Sequence, residues 1–271
     1  MKRPMPEIRP GCEHYRTMNR ESGESMNRLF QNAPIPLAVC LVLLSLLSSF
    51  SCTGDNPDFK VEHTGALKTM MHEGDLSATA DLASFHDTEH LYGLGALENL
   101  KGEILVLAGQ PTISTVADEQ VRIDNSLNHR AALFVFASVS TWHPVPVPDT
   151  IRTVETLERF IMTAAGAASI NTAEPFPFLL SGPADTLDWH VIDWAEGDSV
   201  HTHEKHRNSG LRGTLTGNNI EVLGFYSSHH HGVFTHRSTD VHMHAVAEDL
   251  AVAGHVDRLI PGAGMVLKLP G

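Results

Sequence analysis

The chain has 271 residues, 42% of them hydrophobic, with 19 Lys and Arg against 32 Asp and Glu for a formal net charge of −13. That length and apolar content suit one large folded domain or two small ones and exclude a disordered chain. The acid excess argues against nucleic acid and anionic lipid headgroups as partners.

The first 51 residues stand apart from the rest. Residues 1–34 are polar and basic, and "IPLAVCLVLLSLLSSFSC" then holds an apolar run of about 15 residues, too short for a comfortable bilayer span and right for the h-region of a signal peptide. A start at Met26 leaves "MNRLFQNAP", a normal n-region with one Arg. Ser51 and Cys52 end the run as bacterial lipoprotein signals end, although Ser49 stands where leucine is usual. The expectation is an exported protein, periplasmic or at the cell surface, cleaved before Cys52 and held at the membrane by lipid on that sulfur. The three cysteines are Cys12, Cys40 and Cys52, so this cleavage leaves one and no internal disulfide can form. Residues 1–51 hold six of the Lys and Arg and four of the Asp and Glu, so the remainder carries 13 against 28, net −15.

Residues 52–64 read as a polar tether, and the folded domain is expected over 65–271, in halves of about 65–170 and 171–271. "GALKTMMHEG" and "DLSATADLASF" carry apolar residues at helical spacing, which predicts two short helices with Asp75 or Ser77 as a cap. In "GLGALENLKGEILVLAGQP" the period changes: Gly93 and Gly95 mark a turn, and "EILVLAG" is a buried strand. "VRIDNSLNHR" reads as strand and turn, and "AALFVFASVSTW" as a long strand. "PDTIRTVETLERFIMTAAGAA" is the best helix, with Ile151, Val154, Leu157, Phe160, Ile161 and Ala164 on one stripe. It separates two sheet-bearing halves. "PFPFLLSGPA", "DWHVIDWA", "LRGTLTG", "NIEVLGFYS", "STDVHMHAVAED" and "MVLKLPG" follow, all strand-like and punctuated by Gly or Pro.

His242 and His244 are two apart, so on a strand both imidazoles leave the same face. Val241, Met243 and Ala245 alternate with them, as on a strand lining a polar cavity. His255 follows eleven residues after His244, enough to turn and return on a neighbouring strand. Three neutral imidazoles leave a fourth position open for water or substrate, the arrangement of a catalytic zinc. With 18 histidines in the chain, however, H-x-H also occurs in "HTHEKH" (201–206) and "HHH" (229–231), which read as loops among Ser, Asn, Lys and Gly. On spacing alone the site stands evenly between metal binding and chance.

"GLGALENLKGEILVLAG" (93–109), "VLGF" (222–225) and "HMHAVAEDLAVAGH" (242–255) resemble the acetolactate decarboxylase family, whose zinc site reads H-x-H-x10-H. Weaker similarity runs from Thr69 to Pro270. The resemblance implies an α+β fold, mostly β, in two parts with mixed or antiparallel sheets and a central amphipathic helix. It implies zinc on His242, His244 and His255, with Glu103 as proton donor or relay. The substrate would be 2-acetolactate, a small 2-hydroxy-3-keto acid, with its hydroxyl and carbonyl oxygens on the metal; loss of carbon dioxide and protonation would give acetoin. Outside the resemblance, Glu103 reads as an exposed glutamate at a strand start. A homodimer is left open.

Two features depart from the family. Its essential arginine falls near Asp193 in "LDWHVIDWAEGD", which contains none, so Arg207, Arg212 or Arg237 would have to reach in from another loop. Its C-terminal tail, whose glutamate folds back onto the zinc, has no counterpart after "LKLPG". Two alternatives therefore stand beside the decarboxylase. One is an exported zinc-binding homologue with lost or altered activity. The other is a cupin, because "HMHAVAE" also satisfies H-x-H-x3-E with Glu248 as a carboxylate ligand.

Overall fold

The computed structural model describes residues 59–248 and 252–271, so the leader and Cys52 lie outside the described residues. The described chain is built on two antiparallel sheets of seven strands each. The first holds β1 (Glu62–Thr64), β2 (Ala80–Asp81), β3 (Leu91–Leu97), β4 (Glu103–Leu107), β5 (Gln110–Ala117), β6 (Gln120–Asp124) and β7 (Arg130–Ser138), in the order β1-β7-β3-β4-β5-β6 with β2 also on β7. The second holds β8 (Trp142–Pro146), β9 (Phe176–Val191), β10 (Leu211–Leu215), β11 (Asn218–Tyr226), β12 (Val241–Ala247), β13 (Ala253–Pro261) and β14 (Val266–Pro270). Its order is β11-β12-β13-β9-β14-β8, with β10 on β9.

β9 also pairs with β11, so β9, β11, β12 and β13 close a ring of four antiparallel strands. The strand is long because it changes partners along its length. Its first half lies beside β11 and β14, and its second half beside β10 and β13. Backbone groups therefore stay paired through "SGPA", where the glycine and proline predict a break between two strands.

Three helices accompany the sheets: α1 (Leu67–Glu73), α2 (Val154–Ala167) and α3 (His203–Asn208). α2 is the expected amphipathic helix. Thr153 closes a capping box with Thr156, and Leu157, Ile161 and Ala165 are buried against Phe176, Phe178 and Leu180. Each large apolar side chain so buried stabilises the fold by about 1.5–3 kcal/mol. A second core lies between the sheets, where Leu94, Leu105 and Leu133 meet Leu179, Leu223 and Phe225. No helix of the described residues is long and apolar enough to cross a membrane.

Several expectations change. The chain passes from one sheet to the other between Ser138 and Trp142, because β8, which precedes α2, pairs with β14. The tether is part of the fold from Phe59, which packs on both cores, and β1 pairs with β7. The second short helix is a strand followed by a 3-10 turn, Leu82–Phe85, capped by Asp81; Asp75 instead binds Ser77 in a local turn. Gly93 and Gly95 lie inside β3. A Cβ on Gly95 would stand 1.9 Å from the Leu133 carbonyl oxygen, so the glycine serves close approach of β3 to β7 instead of a turn.

Gly254 on β13 has a similar constraint, for a Cβ there would lie 2.4 Å from the His190 carbonyl oxygen on β9. Gly254→Ala is expected to destabilise the protein by about 1–3 kcal/mol in chemical denaturation, because β13 must move away from β9. A stability equal to that of the parent would contradict this packing.

Candidate metal centre

β12 alternates strictly. Val241, Met243 and Ala245 enter the core under α2, and the even positions carry His242 and His244 to the opposite face. β13 runs antiparallel to β12 with His255 directly opposite His244. His242 Nε2 lies 3.2 Å from His244 Nε2, which lies 3.3 Å from His255 Nδ1. One nitrogen from each ring falls within 4.8 Å of the others, and all three residues are buried.

This spacing fits a metal ion. Nitrogens about 2.0–2.1 Å from one tetrahedral ion lie about 3.3 Å apart. Burial, then the neighbouring imidazoles, holds all three rings far below the ordinary histidine range, His244 at about 3. The rings are therefore neutral, the form that binds a metal. The backbone at Phe234 and at Ile104 faces His242 and His244 and opposes the shift. Neither buried Nδ1, however, closes a hydrogen bond of standard geometry.

Glu103, first residue of β4, arrives from the other sheet and is 5% exposed. Its Oε2 is 3.6 Å from His244 Nε2, and its Oε1 accepts from the Ile192 N–H at 3.2 Å. Burial pushes the carboxyl up from 4.5 to about 7, partly opposed by His190 and the Ile192 N–H. The strand-start glutamate is thus buried beside the imidazoles.

Sequence reasoning missed His190. It is the β9 residue opposite His255, its Nδ1 is 2.9 Å from Asp257 Oδ2, and its Nε2 is 3.9 Å from Glu103 Oε1. The available signal was its place between Trp189 and Val191, which alternation sends to the other face. His236 was also missed, with its ring centroid 5.6 Å from that of His255. A cavity of about 500 Å³ opens over these groups. His190, Ile192, His242, His255 and Glu103 line it, and Arg207 and Arg237 stand in its wall. Asp193, near which the family arginine falls, is absent from that wall and pairs with Lys101 Nζ at 2.9 Å.

"HTHEKH" is mostly helical, contrary to the loop expected, because Thr202 caps α3 through the Lys205 N–H. His203 and His206 reach the cavity wall, whereas His201 stacks on Trp194 and meets His206 at 2.8 Å. "HHH" stays outside the centre, with His230 on Ser227 and His231 on Asp240. Glu248 is exposed and accepts from Asn219 at 2.9 Å, away from the three imidazoles, which removes the carboxylate ligand a cupin reading needs.

No protein-family model matches the chain, and no curated protein matches it by sequence. Among solved structures it is similar to alpha-acetolactate decarboxylase from Bacillus subtilis strain 168, with TM-score 0.61 and 13% identity over 78% of this chain and 85% of that one. It is likewise similar to acetolactate decarboxylase from Bacillus subtilis subspecies spizizenii, with TM-score 0.60 and 12% identity over 78% and 85%. A Staphylococcus aureus protein of unknown function, described as similar to alpha-acetolactate decarboxylase, gives TM-score 0.59 and 15% identity over 77% and 84%. The fold is that of the acetolactate decarboxylases.

Burial, then the charges of His203 and His190, lowers His236 from 6.5 to about 4. Below pH 6.5 the unfolded chain takes up a proton that the folded protein refuses, so this group costs stability increasingly from pH 6.5 down to about 4 and nothing above. His236→Gln is expected to gain about 1–3 kcal/mol over the parent at pH 4.5 relative to pH 7.5. Parallel stability curves of the two proteins across that range would contradict a neutral, partly buried ring.

Proposed function

We propose that this protein is a zinc-dependent carboxy-lyase converting 2-acetolactate, or a close 2-hydroxy-3-keto acid, to the corresponding hydroxyketone. The carrying observation is the convergence of three buried imidazole nitrogens beside Glu103 at one end of a cavity sized for a small molecule. The likeness of fold to acetolactate decarboxylases supports the same reading.

His242 and His244 through Nε2 and His255 through Nδ1 would hold the ion. Zinc bound there supplies Lewis-acid stabilisation of the negative charge that develops on substrate oxygens. The bond from the substrate carbon to its carboxylate breaks, carbon dioxide leaves, and the remaining electron pair takes a proton. Glu103 donates that proton, being the one carboxylate among the described residues lining the cavity. The Ile192 N–H fixes Oε1, and His190, steadied by Asp257, stands behind the carboxyl.

A second reading is a zinc-binding homologue without this reaction. It is favoured by Ile192, which lines the cavity beside the segment where the resemblance calls for an arginine. Export with lipid on Cys52 is proposed from the sequence alone. Cys52→Ser should then abolish labelling with radioactive palmitate and release the protein from membranes, whereas retained label would remove the anchor.

Purified protein is expected to hold about one zinc per chain and to form acetoin from acetolactate. His242→Ala with His244→Ala should lose both zinc and turnover. Glu103→Gln should keep zinc and lose about 10²–10⁴-fold in rate, the usual contribution of a positioned proton donor. Zinc at one equivalent with no carbon dioxide release from the parent would favour the second reading.

A further inference from the structure

The cavity over the three imidazoles is charged opposite to the chain around it. Three cationic side chains line it: Lys68 on α1, Arg207 on α3 and Arg237 in the connection from β11 to β12. Glu103 is their one acidic counterpart in that wall. Among the described residues, neither arginine has a carboxylate within 4.0 Å, and Arg237 touches His72 Nε2 at 3.2 Å. Four other arginines of this acidic chain are paired, Arg122 with Asp118, Arg130 with Glu98, Arg152 with Asp185 and Arg258 with Asp188, whereas Arg159 and Arg212 have no carboxylate partner among the described residues. Two of the four arginines without a carboxylate partner among the described residues thus stand at this one cavity.

We propose that Arg207 and Arg237 form the carboxylate-binding subsite of this cavity and clamp a small 2-hydroxy acid whose oxygen-bearing end faces the imidazoles. This rests on the small-acid reading above and deepens it by naming the groups that replace the missing arginine. The guanidinium fork matches a carboxylate with two parallel hydrogen bonds, which an ammonium such as Lys68 does not. The chain's net charge repels anions at long range, so local cations are what make the entrance accept one. A cavity of about 500 Å³ has ample room for a compact acid.

The test measures zinc content and then titrates the purified full chain calorimetrically with two probes of similar size. One is 2-hydroxy-2-methylbutanoate and the other is the uncharged 3-hydroxy-3-methylbutan-2-one. Arg207→Gln with Arg237→Gln should weaken the carboxylate at least ~10-fold, leave the neutral probe within ~2-fold, and leave zinc content unchanged, as loss of a charge-assisted pair requires. Arg212→Gln, on β10 and absent from the cavity wall, should bind both probes as the parent does. Should the double glutamine variant fold poorly, Arg207→Lys with Arg237→Lys keeps the charge, loses the fork and should still weaken the carboxylate several-fold. Equal carboxylate affinity in parent and double variant overturns the clamp. A parent without zinc defeats the metal reading alone. In that case the titration on the metal-free chain still decides the arginines: binding lost in the double variant upholds them, and no binding in the parent overturns them.

Discussion

The desolvation of three imidazoles at one point is the constraint on which the rest depends. Each ring has been taken from water, and each is surrounded by others that would repel a charge, so all three stay neutral. Neutral rings facing one another with lone pairs cannot all find donors among themselves. A divalent ion would satisfy all three at once, and the two nitrogen separations of 3.2 and 3.3 Å match those around a tetrahedral ion. The closed ring of β9, β11, β12 and β13 supplies the rigidity that holds them there, because β13 is paired on both sides, to β12 and to β9.

The second sheet's histidine-bearing face is completed by the first sheet, which contributes Glu103 from the start of β4. Its carboxyl crosses the inter-sheet core to bond the backbone of Ile192, so one hydrogen bond ties the two halves together at the centre itself. Asp257, His190 and Glu103 form a chain of groups leading to the same point. Around this buried end the protein is acidic, while the wall of the cavity is cationic. Guanidinium groups thus line the approach to the buried Glu103 carboxyl in an otherwise acidic chain.

Much of this was legible because strands have a period of two. The alternation of Val241, Met243 and Ala245 with His242 and His244 was enough to place both rings on one face, and eleven residues were enough for His255 to return beside them. The α2 helix was equally readable from its apolar stripe. Glu103 came from a family resemblance, since nothing local distinguishes a buried Gly-Glu strand start from an exposed one. His190 was hidden for a different reason: its partner lies 65 residues later on β13, and pairing between distant strands leaves no mark in local spacing. The glycines of β3 misled because close approach and turning both call for the same residue. Asp193, near which the family arginine falls, faces Lys101 and not the cavity, so the sequence position alone did not locate the cationic groups of the wall. "HTHEKH" looked like a loop because six residues carry too little periodicity for a helix of one and a half turns to register.

X-ray absorption at the zinc edge of the metal-loaded protein reads the first shell directly. Three imidazole nitrogens at about 2.0–2.1 Å with an oxygen completing a four- or five-coordinate shell is the expected result. A shell containing sulfur, or one of oxygens with at most one imidazole, would mean that the metal sits elsewhere and that the three buried rings are not its ligands.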